Sequence, residues 1–143
     1  MFNIRVYGIC INDRQELLLA DERIHGKEIT KLPGGGLEFG EGTRECLARE
    51  FMEECGQPVD VLDHFYTTDF FVPSAFNPNS QVVSIYYRVR FPDPIRFPIT
   101  QKKFDFLPGT SDALTFRWMK LTSLTPTEFT FPIDRRIAEM LLP

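Results

Sequence analysis

Glu50, Glu53 and Glu54 stand at i, i+3 and i+4, a spacing that on a helix gathers three carboxylates onto one patch of surface. Like charges so placed repel by roughly a few tenths of a kcal/mol per pair. A divalent cation among them removes that cost. Carboxylate oxygens suit hard Mg²⁺, with Mn²⁺ as the alternative ion, and Mg²⁺ keeps part of its coordination shell for water or substrate phosphate. The trio alone reads as well as a solvated acidic helix face. What weighs against that plainer reading is its surroundings. From Gly35 to Gln57 the chain runs GGLEFGEGTRECLAREFMEECGQ, which adds Gly35, Glu41, Arg49 and Gly56 at fixed intervals from the glutamates.

The flanking residues are those such a helix needs. Leu32-Pro33-Gly34-Gly35-Gly36 can take conformations closed to other residues, and is expected to form a bend that lets a phosphate or metal approach the main chain. Thr43 is expected to cap the helix, with Cys46 in place of the usual capping-box glutamate. Leu47, Ala48, Phe51 and Cys55 form the expected apolar stripe. Gly56-Gln57-Pro58 ends the helix with a C-terminal glycine and a following proline.

These spacings match the Nudix box, G-x5-E-x7-R-E-U-x-E-E-x-G-U, with two departures: Phe51 is aromatic and Gln57 is polar where U is aliphatic. The chain resembles a Nudix hydrolase over most of its length. Ile4–Asn12 and Leu17–Ile24 resemble the family's opening hairpin, and Trp118 with Leu121 and Leu124 its closing strand and turn. The resemblance implies an α+β fold, an α/β/α sandwich around a mixed β-sheet, with one Nudix domain over residues 1–143. It implies cleavage of the pyrophosphate link in a nucleoside diphosphate joined to another group, by water activated by bound metal. It also implies roles. Gly35 (by its carbonyl), Glu50, Glu53 and Glu54 would hold the metal, Glu50 or Glu53 would serve as base, Arg49 would orient Glu50, and Glu41 would support it. Phe51 and Gln57 fall on the packing side, where they bear on helix docking rather than chemistry.

Composition bounds the alternatives. The chain has 143 residues, enough for one substantial core. Its 43% hydrophobic and 25% charged content is ordinary for a soluble globular protein. A net charge of −4 argues against binding a nucleic-acid polymer or an anionic membrane, whereas a metal ion reverses the local sign at an acidic site and admits a phosphate substrate. Cys10, Cys46 and Cys55 show neither disulfide nor zinc spacing and are expected as small buried side chains in a reducing compartment. With no leader-like start and no long apolar run, cytoplasm is the expected location.

Outside the box the chain reads mostly as strand. Asn3–Ile11, Leu17–Ile24, Val59–Val72, Val82–Phe91 and Leu114–Met119 carry alternating or β-branched patterns. Pro73–Ser80 and Pro92–Asp112 read as loops, and Ile133–Leu142 as a closing helix after a turn at Pro132. No repeat or linker interrupts them.

Substrate choice depends on this remainder. Pro73 lies sixteen residues beyond Gln57, where a proline marks the ADP-ribose pyrophosphatases of the family. ADP-ribose or a nucleotide sugar is therefore one expected substrate class, and a nucleoside triphosphate the other. No N-terminal extension of the kind carried by many dimeric ADP-ribose enzymes is expected, which lowers that class, and a homodimer is left open. Phe76 and Phe104, aromatic residues in loops, are candidates for substrate contact. Arg5, Arg88 and Arg90 are candidates for phosphates, and Lys102-Lys103 reads as a solvated turn. Asp112, just before the Trp118 strand, is a candidate acid from outside the box, although an ordinary turn aspartate accounts for it better. The competing class of function is a catalytically inactive Nudix-fold module that binds or regulates.

Overall fold

The computed structural model describes residues 1–142. Strands β1 (Phe2–Cys10), β2 (Glu16–Ile24), β3 (Lys27–Lys31), β4 (Gly34–Gly36), β5 (Asp60–Thr67), β6 (Gln81–Arg90) and β7 (Ala113–Lys120) accompany helices α1 (Thr43–Cys55) and α2 (Pro132–Leu141), with 3₁₀ turns at Leu121–Ser123 and Pro126–Glu128. The class is α+β, as expected. Two compact units emerge, one from Met1–Cys10 and Pro33–Arg96, the other from Ile11–Leu32 and Phe97 onward. No helix among the described residues is long and apolar enough to cross a membrane.

The first unit holds a mixed sheet in the order β4-β1-β6-β5, in which β1 and β6 run parallel and the other pairs antiparallel. The β-branched and aromatic run of β6 explains its place inside the sheet. α1 buries Cys46, Leu47, Phe51 and Cys55, whereas Ala48 is exposed and Cys46 takes its expected place in the apolar stripe. Phe51 fits where an aliphatic residue is usual because Gly8 faces it: a Cβ on Gly8 would stand 2.8 Å from the Phe51 ring and 3.0 Å from Val89. Phe91 meets the same ring edge-on, 5.7 Å between centroids. Gln57, only 1% exposed, is satisfied by its own amide. It donates to the Pro94 carbonyl at 3.3 Å and accepts from the Arg96 N–H at 2.9 Å, so the polar departure latches the segment after β6 to the end of α1.

The second unit holds the antiparallel sheet β3-β2-β7. Leu17, Leu18, Leu19 and Ala20 are fully buried, and α2 adds Ile133, Ile137 and Ala138 to the unit's buried apolar residues, with Pro132 in its first turn. Asp21 is also fully buried. It accepts hydrogen bonds from Thr30 Oγ1 (2.7 Å), Arg117 Nε (2.6 Å) and the Phe104 N–H (3.3 Å), while Arg117 Nη2 reaches Glu128 at 2.6 Å. Burial works to lower the Arg117 pKa, and the hydrogen bonds it donates to Asp21 and Glu128 outweigh it and raise it.

Three expectations are corrected. The opening strands do not pair as a hairpin: β1 joins β4 and β6, β2 joins β3 and β7, and the isolated bridge Ile11–Leu17 falls within the second unit. The glycine run is a strand rather than a bend, with Arg5, Val6 and Tyr7 opposite Gly36, Gly35 and Gly34. Gly34, at φ +146°, comes so close that a Cβ would stand 2.1 Å from the Val6 carbonyl oxygen. The strand expected over Val59–Val72 covers only Asp60–Thr67. β3 lacks a readable pattern, since Ile29 is its one large apolar residue. It forms because His25 and Gly26, at φ 49° and 77°, supply the two positive-φ residues of a tight hairpin turn.

The Gly8–Phe51 contact is testable. Gly8→Ala is expected to cost about 1–3 kcal/mol by overpacking, and adding Phe51→Leu is expected to recover part of that loss, so the two penalties do not add. Urea denaturation of the wild type, both single variants and the double variant measures this, and simple additivity would contradict the fit described here.

Candidate active site

α1 starts at Thr43, the residue expected to cap it, so the cap lies one residue earlier. Gly42 is the N-cap, its N–H donates to Glu45 Oε1 at 3.0 Å, and its carbonyl accepts from the Cys46 N–H at 2.9 Å. Glycine has no side chain, so only the returning half of a capping box is present. Thr43 instead places Oγ1 2.7 Å from the Tyr87 hydroxyl.

The helix then presents Arg49 to four carboxylates and one carbonyl. Nε and Nη2 grip Glu41 at 2.9 and 2.7 Å in a two-point bond, and Nη2 also donates to the Gly36 carbonyl at 3.0 Å. Nη1 lies 3.1 Å from Glu50 Oε1, 3.3 Å from both Glu53 oxygens and 3.6 Å from Glu38. The hydrogen bond from Arg49, aided by the Glu38 N–H, holds the Glu41 carboxyl down near 2, and the same bond raises the Arg49 pKa. Beside them, burial and then the Glu41 contact push the Cys46 thiol up to about 12. Burial does the same for Cys10 and Cys55, and all three thiols are unpaired.

Gly35 explains itself by what it touches. A Cβ there would stand 2.5–2.6 Å from the three carboxyl atoms of Glu50, so only glycine leaves the cradle in which that carboxylate sits. The Gly8 N–H donates to Pro33 and the Leu37 N–H to Ile4, which by antiparallel alternation makes Val6–Gly35 the bonded pair between them. That bond uses one of the two lone pairs that the Gly35 carbonyl oxygen carries.

The expected metal donors, Glu50, Glu53, Glu54 and the Gly35 carbonyl, are all oxygens, the set a hard divalent cation prefers. Among the described residues no three Asp, Glu, His or Cys side chains close on a single point. Glu50 in its glycine cradle, sharing Arg49 Nη1 with Glu53, is the observation that fits these residues to such an ion.

The residues expected outside the box are scattered. Arg5 lies opposite Gly36 on β1, with Nε donating to the Tyr7 hydroxyl at 2.6 Å. Arg88 and Arg90 are turned to Asp63 at 3.8 Å and Asp60 at 3.2 Å, cross-strand ion pairs rather than open cations. Phe76, half exposed, hangs from a loop in which Ser74 Oγ accepts the N–H groups of Phe76 and Asn77. Phe104 belongs to the second unit and is held at φ 57°. Asp112 is exposed just before β7 in that same unit. Lys103 lies in an exposed turn, as expected, and from there its Nζ donates to the Glu128 carbonyl at 3.0 Å and lies 5.3 Å from the centre of the Phe104 ring. Sequence reasoning passed over Glu38, Glu45 and Tyr7. Glu45, three residues after Gly42, and Tyr7, two after Arg5 on one strand face, carried the spacing that could have found them.

Comparison with known proteins agrees with this geometry. The NUDIX domain family model matches residues 1–140, across both units. The chain belongs to the Nudix family, whose enzymes are pyrophosphohydrolases. Among solved structures it is similar to a NUDIX hydrolase from Nitrosomonas europaea, with TM-score 0.71, 19% identity, and coverage of 97% of this chain and 87% of that one. A MutT protein from Methanosarcina mazei Go1 gives 0.68 at 19% identity, covering 98% and 92%. An ADP-ribose pyrophosphatase from Streptococcus suis gives 0.60 at 16%, covering 97% and 86%. Likeness at these identities establishes the fold.

The Glu41–Arg49 bond has a pH signature. A carboxyl lowered from 4.5 to about 2 adds stability that is present in full above 4.5 and is lost as pH falls toward 2. The melting-temperature gap between wild type and Glu41→Gln is therefore expected to be widest above about pH 5 and to close toward pH 2. Circular-dichroism melts across that range check this, and a gap that stays constant would count against the bond.

Proposed function

We propose that the chain hydrolyses the diphosphate link of a nucleoside diphosphate derivative with the help of Mg²⁺, Mn²⁺ being the alternative ion. The observation that carries this reading is the Glu50 carboxylate seated on Gly35 and joined to Glu53 through Arg49. Glu50, Glu53, Glu54 and the Gly35 carbonyl would hold the ion, which supplies Lewis acidity toward the diphosphate oxygens and the attacking water. Arg49 fixes the direction of Glu50, and Glu41 fixes Arg49. Glu50 or Glu53 would take the proton of the attacking water, both carboxylates being held by Arg49 Nη1.

ADP-ribose or a nucleotide sugar is one substrate class we put forward, supported by Pro73 and by the similarity to the Streptococcus suis structure. A nucleoside triphosphate is the other, supported by the similarity to the Methanosarcina mazei MutT protein. Phe76 and Phe104 are put forward as substrate contacts, and residues 1–143 as one catalytic domain, because the family model crosses both units. Unpaired thiols support a reducing compartment such as the cytoplasm. The competing reading, an inactive binding module, draws on one observation: Arg49 already satisfies Glu50 and Glu53 with a positive charge.

Two measurements separate these readings. Phosphate release after coupling to a phosphatase, over ADP-ribose, nucleotide sugars and nucleoside triphosphates with and without Mg²⁺, is expected to show Mg²⁺-dependent turnover on at least one class. Glu53→Gln is expected to lower that turnover by about 10²–10⁴-fold while melting within a few degrees of wild type. No turnover on any substrate and no Mg²⁺-linked thermal shift would favour the binding module.

A further inference from the structure

We propose that Glu38 is a positioning residue for the ion site: it stands in reserve beside Arg49 Nη1 and takes over that nitrogen when a divalent cation competes for Glu50 and Glu53. This rests on the reading above that those two glutamates hold an ion. Each terminal nitrogen of a guanidinium carries two N–H donors. Around Arg49 Nη1 stand three carboxylates, Glu50 at 3.1 Å, Glu53 at 3.3 Å and Glu38 at 3.6 Å. Two donors cannot serve three carboxylates fully. Glu38 is the one left in ion-pair range but beyond a hydrogen bond, its side chain 67% exposed against 14% for Glu50. A shift of about 0.5 Å would make it a bonded partner.

The backbone keeps Glu38 at that distance. Its N–H donates to Glu41 Oε1 at 2.9 Å, and its carbonyl accepts from the Glu41 N–H at 3.3 Å. The preceding Leu37 N–H donates to the Ile4 carbonyl on β1 at 2.9 Å. Glu41 is itself gripped by the other edge of Arg49, so the loop that bears Glu38 is tied to the guanidinium that its carboxylate faces. Phe39, next to it, is fully exposed, which leaves these polar contacts rather than packing of that ring to fix the loop. The rest follows from competition for oxygens. A cation on Glu50 and Glu53 draws on carboxylates that Nη1 already holds, and two positive charges on the same acceptors repel. A third carboxylate closing on Nη1 offsets that repulsion and keeps Arg49 aligned on Glu41 and the Gly36 carbonyl. Glu38 therefore contributes more to the ion-bound state than to the ion-free one, and so raises affinity for the ion.

Glu38→Gln in the full chain tests this. Without metal it is expected to melt within a few degrees of wild type, because an exposed pair at this distance contributes little. Its affinity for Mn²⁺ without substrate, read from the electron paramagnetic resonance signal of the free ion, is expected to weaken about two- to fivefold. The rise in melting temperature caused by Mg²⁺ should shrink in step. Glu28→Gln, which removes the same charge from an ion pair with Arg23 in the second unit, should leave both readouts at wild-type values. Plain attraction between Glu38 and the ion would also weaken binding, and two further variants separate it from the relay. Glu38→Asp keeps the charge but withdraws it from Nη1 by one methylene, so the relay predicts a loss close to that of glutamine and plain attraction predicts almost none. Arg49→Lys keeps the charge but not the fork, and in that background the Glu38→Gln loss should largely vanish. Unchanged Mn²⁺ affinity in Glu38→Gln, wild-type affinity in Glu38→Asp, or an equal Glu38→Gln loss in both backgrounds would overturn the proposal. A wild type that binds Mn²⁺ but turns over nothing would remove the hydrolase reading and leave the role of Glu38 standing, whereas a wild type that binds neither ion would overturn both.

Discussion

One guanidinium organises the box. Arg49 closes the loop between β4 and α1 by its two-point grip on Glu41, fastens the end of β4 through the Gly36 carbonyl, and draws Glu50 and Glu53 to one nitrogen. Without that centre, Glu50 and Glu53 would spread apart by repulsion. Such a hub is possible for arginine and not for lysine, because five N–H donors in a rigid plane can serve separate acceptors in fixed directions. Its two edges differ in kind. The Nε and Nη2 edge meets partners that belong to the scaffold, whereas the Nη1 edge meets the carboxylates for which a divalent cation would compete.

The glycines supply the space that this hub needs. Gly35 admits the Glu50 carboxyl, Gly34 lets β4 press against the backbone of Val6, and Gly36 leaves its far face open toward Arg5. Each is glycine for a different contact, and only Gly34 among the three needs a backbone conformation that other residues avoid. The result is a strand with almost no side-chain surface of its own, set between side chains contributed by α1 and β1.

Much of this was legible in the chain. The spacing of Gly35, Glu41, Arg49, Glu50, Glu53 and Glu54 named the box because a helix period and a glycine requirement are local facts, fixed within some twenty residues. The strong strand pattern of β6 and the proline-led α2 were legible for the same reason. What escaped reading depended on distant partners. β4 looked like a bend because glycine carries no strand preference, and only the register with Arg5–Tyr7 reveals it as an edge strand. β1 and β2 looked like a hairpin because adjacent strands usually pair, yet they enter different sheets. Asp21, hidden in a leucine run, gave no hint that Arg117, ninety-six residues away, would neutralise it.

The two departures from the box pattern show which of its constraints are rigid. Phe51, on the buried side of α1, and Gln57, buried just beyond its end, are each matched by a local remedy: Gly8 makes room for the larger ring, and the Pro94–Arg96 backbone satisfies the amide. Packing positions tolerate such exchange because volume and hydrogen bonds can be balanced by a neighbour. The polar side has no comparable freedom. Glutamine in place of Glu41 would lose half of a charged two-point bond, and lysine in place of Arg49 would lose the fork that serves Glu41, Gly36 and Glu50 together. A chain that departs where a neighbour can compensate, and holds its pattern where none can, retains the arrangement on which charge-dependent chemistry relies.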